Sequence, residues 1–237
     1  GERVARKAYA SDLATGLPNH AQLLEHMTHL LALREREPAP MALLVLRGEG
    51  LATVAAQLGA EAANVLRRKV AVRLRAGLRA SDVVAATGSD AFAVLLAWID
   101  EHASSKRVAD KLLEVLSRPV TLGGEVPVSV TASIGVALLP DHADNADDLV
   151  KAADSAMYAA KSAGRNRHAL YNAAMALDAQ ERLHMEQGLR RAMATPQLQL
   201  HWQPVVDLRS GTVLGAEALL RWDHPELGAV SPERFIP

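Results

Sequence analysis

Apolar positions along the chain switch between a repeat of about 3.6 residues and short unbroken or alternating runs, which predicts helices interleaved with strands. Leu23, Leu24, Met27, Leu30 and Leu31 recur at helical spacing behind Asn19, a side chain suited to capping, and Pro38 and Pro40 end the run. Residues 41–46 are continuously apolar, as a buried central strand requires. A short helix over 51–58 and a longer one over 61–78 follow, the second with Val65, Leu66, Val70 and Leu74 on one face. Two β-prone runs, 83–86 and 92–96, then flank Thr87-Gly88-Ser89-Asp90, a polar, Gly-containing link of the kind that closes a hairpin.

A helix is predicted over 101–116, a hairpin turning at Gly123-Gly124 over 119–130, and a long strand over 128–138 with Gly135 near its middle. Asp144 and Asn145 precede a helix over 146–163 with Asp147 and Asp148 in its first turn, where acids offset the helix dipole. Its inward side chains, Leu149, Ala152, Ala153, Ala156, Met157 and Ala160, are small enough for close approach to a sheet, and Gly164 stops it. The pattern gives an α/β fold, a central mostly antiparallel sheet flanked by helices. Beyond Tyr171 the pattern changes. A helix over 174–194, amphipathic through Leu177, Leu183, Met185 and Leu189, leads to two strands over 198–208 and 213–222, with no later helix predicted to cover them. Residues 1–171 are therefore read as one domain, 172–195 as a connector helix and 196–237 as the start of a second domain. The ten residues before Ser11 read as the end of a helix, and a first residue of Gly implies a longer parent chain.

Composition narrows the function classes. Of the 237 residues 49% are hydrophobic but only 3% aromatic, so Ala, Leu and Val fill the core. A net charge of −1 offers no basic face for nucleic acid. Without cysteine there is neither a disulfide framework nor a thiolate metal site, in keeping with a cytoplasmic protein. No apolar run reaches the length of a membrane span.

The hairpin at 82–96 is the chemical focus, because a turn at a sheet's rim can aim backbone N–H groups and the Asp90 carboxylate at a phosphate or metal ion. Taken alone, it reads better as a plain surface hairpin. Gly88-Ser89-Asp90-Ala91-Phe92 resembles the Gly-Gly-Asp-Glu-Phe signature of the GGDEF (diguanylate cyclase) family. Further resemblance lies in residues 12–20, in Val130-Thr131-Ala132-Ser133-Ile134-Gly135-Val136-Ala137, and in Ala153-Asp154-Ser155-Ala156-Met157-Tyr158-Ala159-Ala160-Lys161 with Gly164-Arg165-Asn166. The resemblance implies a reaction joining two GTP molecules into cyclic di-GMP, with Mg²⁺ or Mn²⁺ held by carboxylates.

Departures from the family pattern fall on that chemistry. Arg47 stands where the family's first-strand aspartate belongs, Ala91 replaces the signature Glu, and the guanine-reading Asn and Asp fall on Ala55 and Asn64. Asp90, Lys161 and Arg165 remain, and Glu49 occupies the second strand-end position. Lys161 and Arg165 can grip a phosphate jointly, although basic residues in a helix's last turn also serve its dipole, which is the preferred reading. Arg79-Ala80-Ser81-Asp82 resembles the family's Arg-x-x-Asp product site, and an ordinary turn is preferred there too.

Residues 196–237 resemble the opening of an EAL domain, a cyclic di-GMP phosphodiesterase with a TIM-like barrel, through residues 200–206, 215–222 and 235–237. That resemblance makes Glu217 a metal ligand and places Gln203 and Arg221 against the dinucleotide, in a site whose other ligands lie further along the family's chain. The expectation is a regulatory GGDEF module, inactive as a cyclase, of a bacterial tandem GGDEF–EAL protein, with no cofactor in this segment. Its partners are then its own EAL domain and a second copy, and residues 196–237, where ordered, pack on the first domain or on another chain. Two alternatives stand beside it: an active cyclase using Asp90 and Glu49, and a receptor for cyclic di-GMP at Arg79 and Asp82 or for GTP in the old pocket.

Overall fold

The computed structural model describes residues 11–35, 39–124 and 127–236; the helix end expected before Ser11, and Pro38, lie outside them. Two compact units divide the chain, Gly1–Ala176 and Leu177–Pro237.

In the first unit α1 (His20–Arg34) starts at Asn19, whose side chain accepts from the Gln22 N–H at 3.0 Å. Strand β1 (Met41–Glu49) takes the centre of the sheet because both of its faces are apolar. Next come α2 (Leu51–Leu58), α3 (Ala60–Ala76), β2 (Val83–Ala86), β3 (Ala91–Leu96) and α4 (His102–Ser117). A small ribbon follows, β4 (Val120–Thr121) and β5 (Pro127–Val128), its turn containing Gly123 at φ +68°. Then come β6 (Thr131–Leu139), α5 (Ala146–Ser162) and β7 (Arg167–Leu170). The sheet order is β2-β3-β1-β6-β7, antiparallel except that β7 runs parallel to β6.

Alternation along β1 sorts the core into two layers. Ala42, Leu44 and Leu46 join residues of α3 and α4; Met41, Leu43 and Val45 join α1 and α5. The buried stripe of α3 is Ala63, Leu66, Val70 and Leu74, and Val65, expected on it, sits only half-buried at its side. Helix α5 lies unusually close to β6. A Cβ on Gly135 would stand 2.8 Å from the Met157 Cα, and closer still to the Ala153 carbonyl oxygen and the Met157 nitrogen.

Helix α6 (Ala173–Ala192) runs into the second unit, where β8 (Leu198–Val206), β9 (Val213–His224) and β10 (Gly228–Val230) form a sheet of order β10-β9-β8, ahead of α7 (Pro232–Phe235). The two strands are not left uncovered as expected, because Met185 and Ala192 of α6 form a core with Trp222, Val230 and Phe235. Of the expected stripe of α6, Met185 and the partly buried Leu189 join this core, whereas Leu177 and Leu183 are exposed. The Trp222 indole N–H donates to the Gln197 Oε1 at 3.2 Å, which satisfies its polar tip inside the core. No closed barrel forms among the described residues, and no described helix is long and apolar enough to cross a membrane.

Candidate functional site

Arg47 continues the Met41, Leu43, Val45 side of β1, so it leaves the strand's end on the face shared with α1 and α5. There its Nη1 lies 3.2 Å and 3.3 Å from the two carboxylate oxygens of Asp90. The hairpin brings Asp90 to this spot: the Thr87 and Gly88 N–H groups donate to the Ala91 carbonyl, and the Gly48 N–H donates to the Asp90 carbonyl at 2.7 Å. Two residues further along β1, Glu49 pairs with Arg165 at 3.2 Å and with Lys161 at 4.0 Å. The charges expected to line one site do meet, but as two cation–carboxylate pairs. Neither Glu49 nor Asp90 is left as a free ligand, and among the described residues no three His, Asp or Glu side chains gather around a common point. This donor set does not fit a divalent cation.

Two parts of the site carried no signal in the reading of single residues. Asp154, about two turns before Lys161 along α5, lines a cavity of about 330 Å³ with His20, Arg47 and Thr87. Burial raises its pKa, and the nearby charges of Arg47 and His20 only partly offset the effect. A carboxylate between the inward Ala153 and Ala156 was the available hint. The second part is Asp12, which accepts from the Thr15 N–H and hydroxyl at 2.9 Å and 2.6 Å and pairs with Arg67 at 3.1 Å. Burial opposes its charge, yet these hydrogen bonds hold its carboxyl below the ordinary range. Arg67 also donates to the Gly88 carbonyl at 3.0 Å, which fastens the hairpin to α3 and to the 12–17 turn. An open cleft of about 930 Å³ beside it is lined by Asp12, Asn64, Arg67, Gly88 and Ser89, while Ala55 lies elsewhere and exposed.

Arg79 and Asp82 belong to a turn in which the buried Asp82 carboxylate accepts from the Arg79 N–H at 3.0 Å. The same turn lines a cavity of about 460 Å³ with Trp98, Arg107 and Lys111. In the second unit Gln203 and Glu217 are direct partners across β8 and β9, and Arg221 lies on the same face, opposite the one that packs on α6.

Residues 9–167 match the family described as "Diguanylate cyclase, GGDEF domain". The chain belongs to the GGDEF family. Residues 186–237 match the EAL domain, so the GGDEF domain is followed by the opening of an EAL domain. Among relatives, the bifunctional diguanylate cyclase/cyclic di-GMP phosphodiesterase MucR of Pseudomonas aeruginosa is 37% identical over 95% of this chain and 33% of its own. The cyclic di-GMP phosphodiesterase NbdA of the same organism is 34% identical over 95% of this chain and 28% of its own. The chain thus spans about a third of the length of these relatives. The GGDEF domain of YfiN (TpbB) from Pseudomonas aeruginosa superposes with a TM-score of 0.69 at 33% identity, covering 72% of this chain and 99% of that one.

Proposed function

We propose that the GGDEF domain is a catalytically silent regulatory module of a tandem GGDEF–EAL cyclic di-GMP signalling protein. It acts in the cytoplasm on the EAL domain that follows it and assembles with a second copy of itself. The observation that carries the reading is Arg47 seated on Asp90 at 3.2 Å. Two unit charges 4 Å apart interact by roughly 4 kcal/mol at an effective dielectric of 20, and twice that for a divalent ion. Solvent screening at this one-third-exposed pair lowers the figure without changing its sign, so a fixed guanidinium repels a metal at Asp90. Glu49 does not rescue the site, because Lys161 and Arg165 already neutralise it. With Ala55 and Asn64 at the positions matching the family's base-reading groups, a guanine edge goes unpaired at about 1–3 kcal/mol per group. Purified chain given GTP with Mg²⁺ or Mn²⁺ is expected to form no cyclic di-GMP above background, and measurable turnover refutes silence. Removing residues 1–171 from the full-length parent is expected to change its phosphodiesterase rate; an unchanged rate refutes regulation.

The cavity beside Arg79 favours a second reading, in which the domain is a receptor for cyclic di-GMP. Among the described residues the Arg79 guanidinium has no hydrogen-bond or ion-pair partner, and Arg107 and Lys111 line the same cavity. Asp82 is committed to its own turn, so the arginine rather than the aspartate supports this reading. Calorimetry with cyclic di-GMP tests it, and unchanged affinity in Arg79→Ala counts against it.

A further inference from the structure

Trp98 is exposed to 54%, whereas Trp222 is buried in the second unit's core. Its ring is nevertheless held. The Arg34 guanidinium carbon lies 4.4 Å from the ring centroid, and Arg34, itself buried, donates to the carbonyls of Ala97 and Ala39. A cation over one face both fixes the indole and occupies that face. Trp98 also lines the 460 Å³ cavity, together with Arg79, Ser104, Arg107 and Lys111. The cations there are lightly committed. Arg107 makes a solvent-exposed pair with Glu101, and Lys111 donates to the Gly77 carbonyl at 3.3 Å.

An immobilised aromatic face beside several cations matches a ligand carrying a flat ring and phosphates. We infer that Trp98 is the base-stacking platform of this cavity, on which a purine nucleotide lays its base while Arg79 and Arg107 hold its phosphates. Stacking on a ring that is already clamped requires little further ordering of the protein. The inference rests on the receptor reading above and adds the residue that would recognise the base.

The experiment uses the whole chain, with cyclic di-GMP as the probe and GMP as comparator. Calorimetry and tryptophan fluorescence are run on the wild type and on Trp98→Phe, Trp98→Ala and Arg79→Ala, with thermal melts to confirm folding. Binding is expected to quench fluorescence in the wild type, and the quench is expected to vanish in Trp98→Phe while its affinity stays within about threefold, since phenylalanine also stacks. Trp98→Ala is expected to bind about tenfold or more weakly. Wild-type affinity in Trp98→Ala, or a full quench in Trp98→Phe, overturns the assignment of Trp98 and leaves the receptor reading intact if Arg79→Ala has lost affinity. No binding to the wild type removes both. Should Trp98→Ala fail to fold, the loss or survival of the quench in Trp98→Phe decides.

Discussion

Replacing Gly135 with alanine is the sharpest test of how the sheet carries its site. A methyl group there meets backbone rather than a flexible side chain, 2.8 Å from the Met157 Cα where ordinary contacts begin near 3.4 Å. Relief requires α5 to move outward, yet α5 buries Leu149, Ala152, Ala153, Ala156, Met157 and Ala160 against the sheet. Overpacking of a rigid contact costs about 1–3 kcal/mol, and the absence of any side-chain escape puts this variant at or above the top of that range. Because α5 also carries Asp154 and Lys161, an outward shift separates Lys161 from Glu49, already 4.0 Å away, before anything else in the site. Urea unfolding monitored by circular dichroism gives the stability loss, and two-dimensional NMR of the hairpin and helix amides gives the displacement. A loss below about 0.5 kcal/mol with unshifted α5 amides refutes the close-packing argument.

Asp12 and Asp154 predict pH dependences of opposite sign. The Asp12 carboxyl is held below its ordinary value in the fold, so the stability it contributes is complete at neutral pH and disappears as pH falls through its native pKa. Asp12→Asn is expected to cost on the order of 1 kcal/mol at pH 7 in urea unfolding, a difference that closes under strong acid. Asp154 is raised, so the folded state keeps its proton longer than the unfolded chain, and stability declines as pH climbs from about 3.9 through the native value. Asp154→Asn is expected to remove that decline; an unchanged stability–pH profile contradicts the placement of the carboxyl between burial and Arg47.

Much of the fold was legible because it rests on periodicity. The unbroken apolar run at 41–46 could only be satisfied with both faces covered, and β1 lies at the sheet centre between β3 and β6. Strand β7 was not legible: residues 167–170 are short and half-exposed, and become a strand only by pairing with β6. Strand β10 and helix α7 escaped notice for the same reason, their order depending on the Trp222 core. The substitution at Arg47 could be read from alignment of motifs, but the partner it chose could not. Nor could sequence show that Glu49 would be shared by Lys161 and Arg165, 112 and 116 positions away along the chain.

Arg67 binds three stretches that are remote in the sequence, since it sits on α3, pairs with Asp12 and donates to Gly88. Backbone bonds reinforce the join, with Ser11 bridged to Pro18 and the Ala86 N–H donating to the Pro18 carbonyl at 2.9 Å. One guanidinium and two short backbone links thus tie the 11–18 turn, α3 and the hairpin together at the rim where Asp90 stands, so the hairpin tip is held from outside the packed interior as well as from within it.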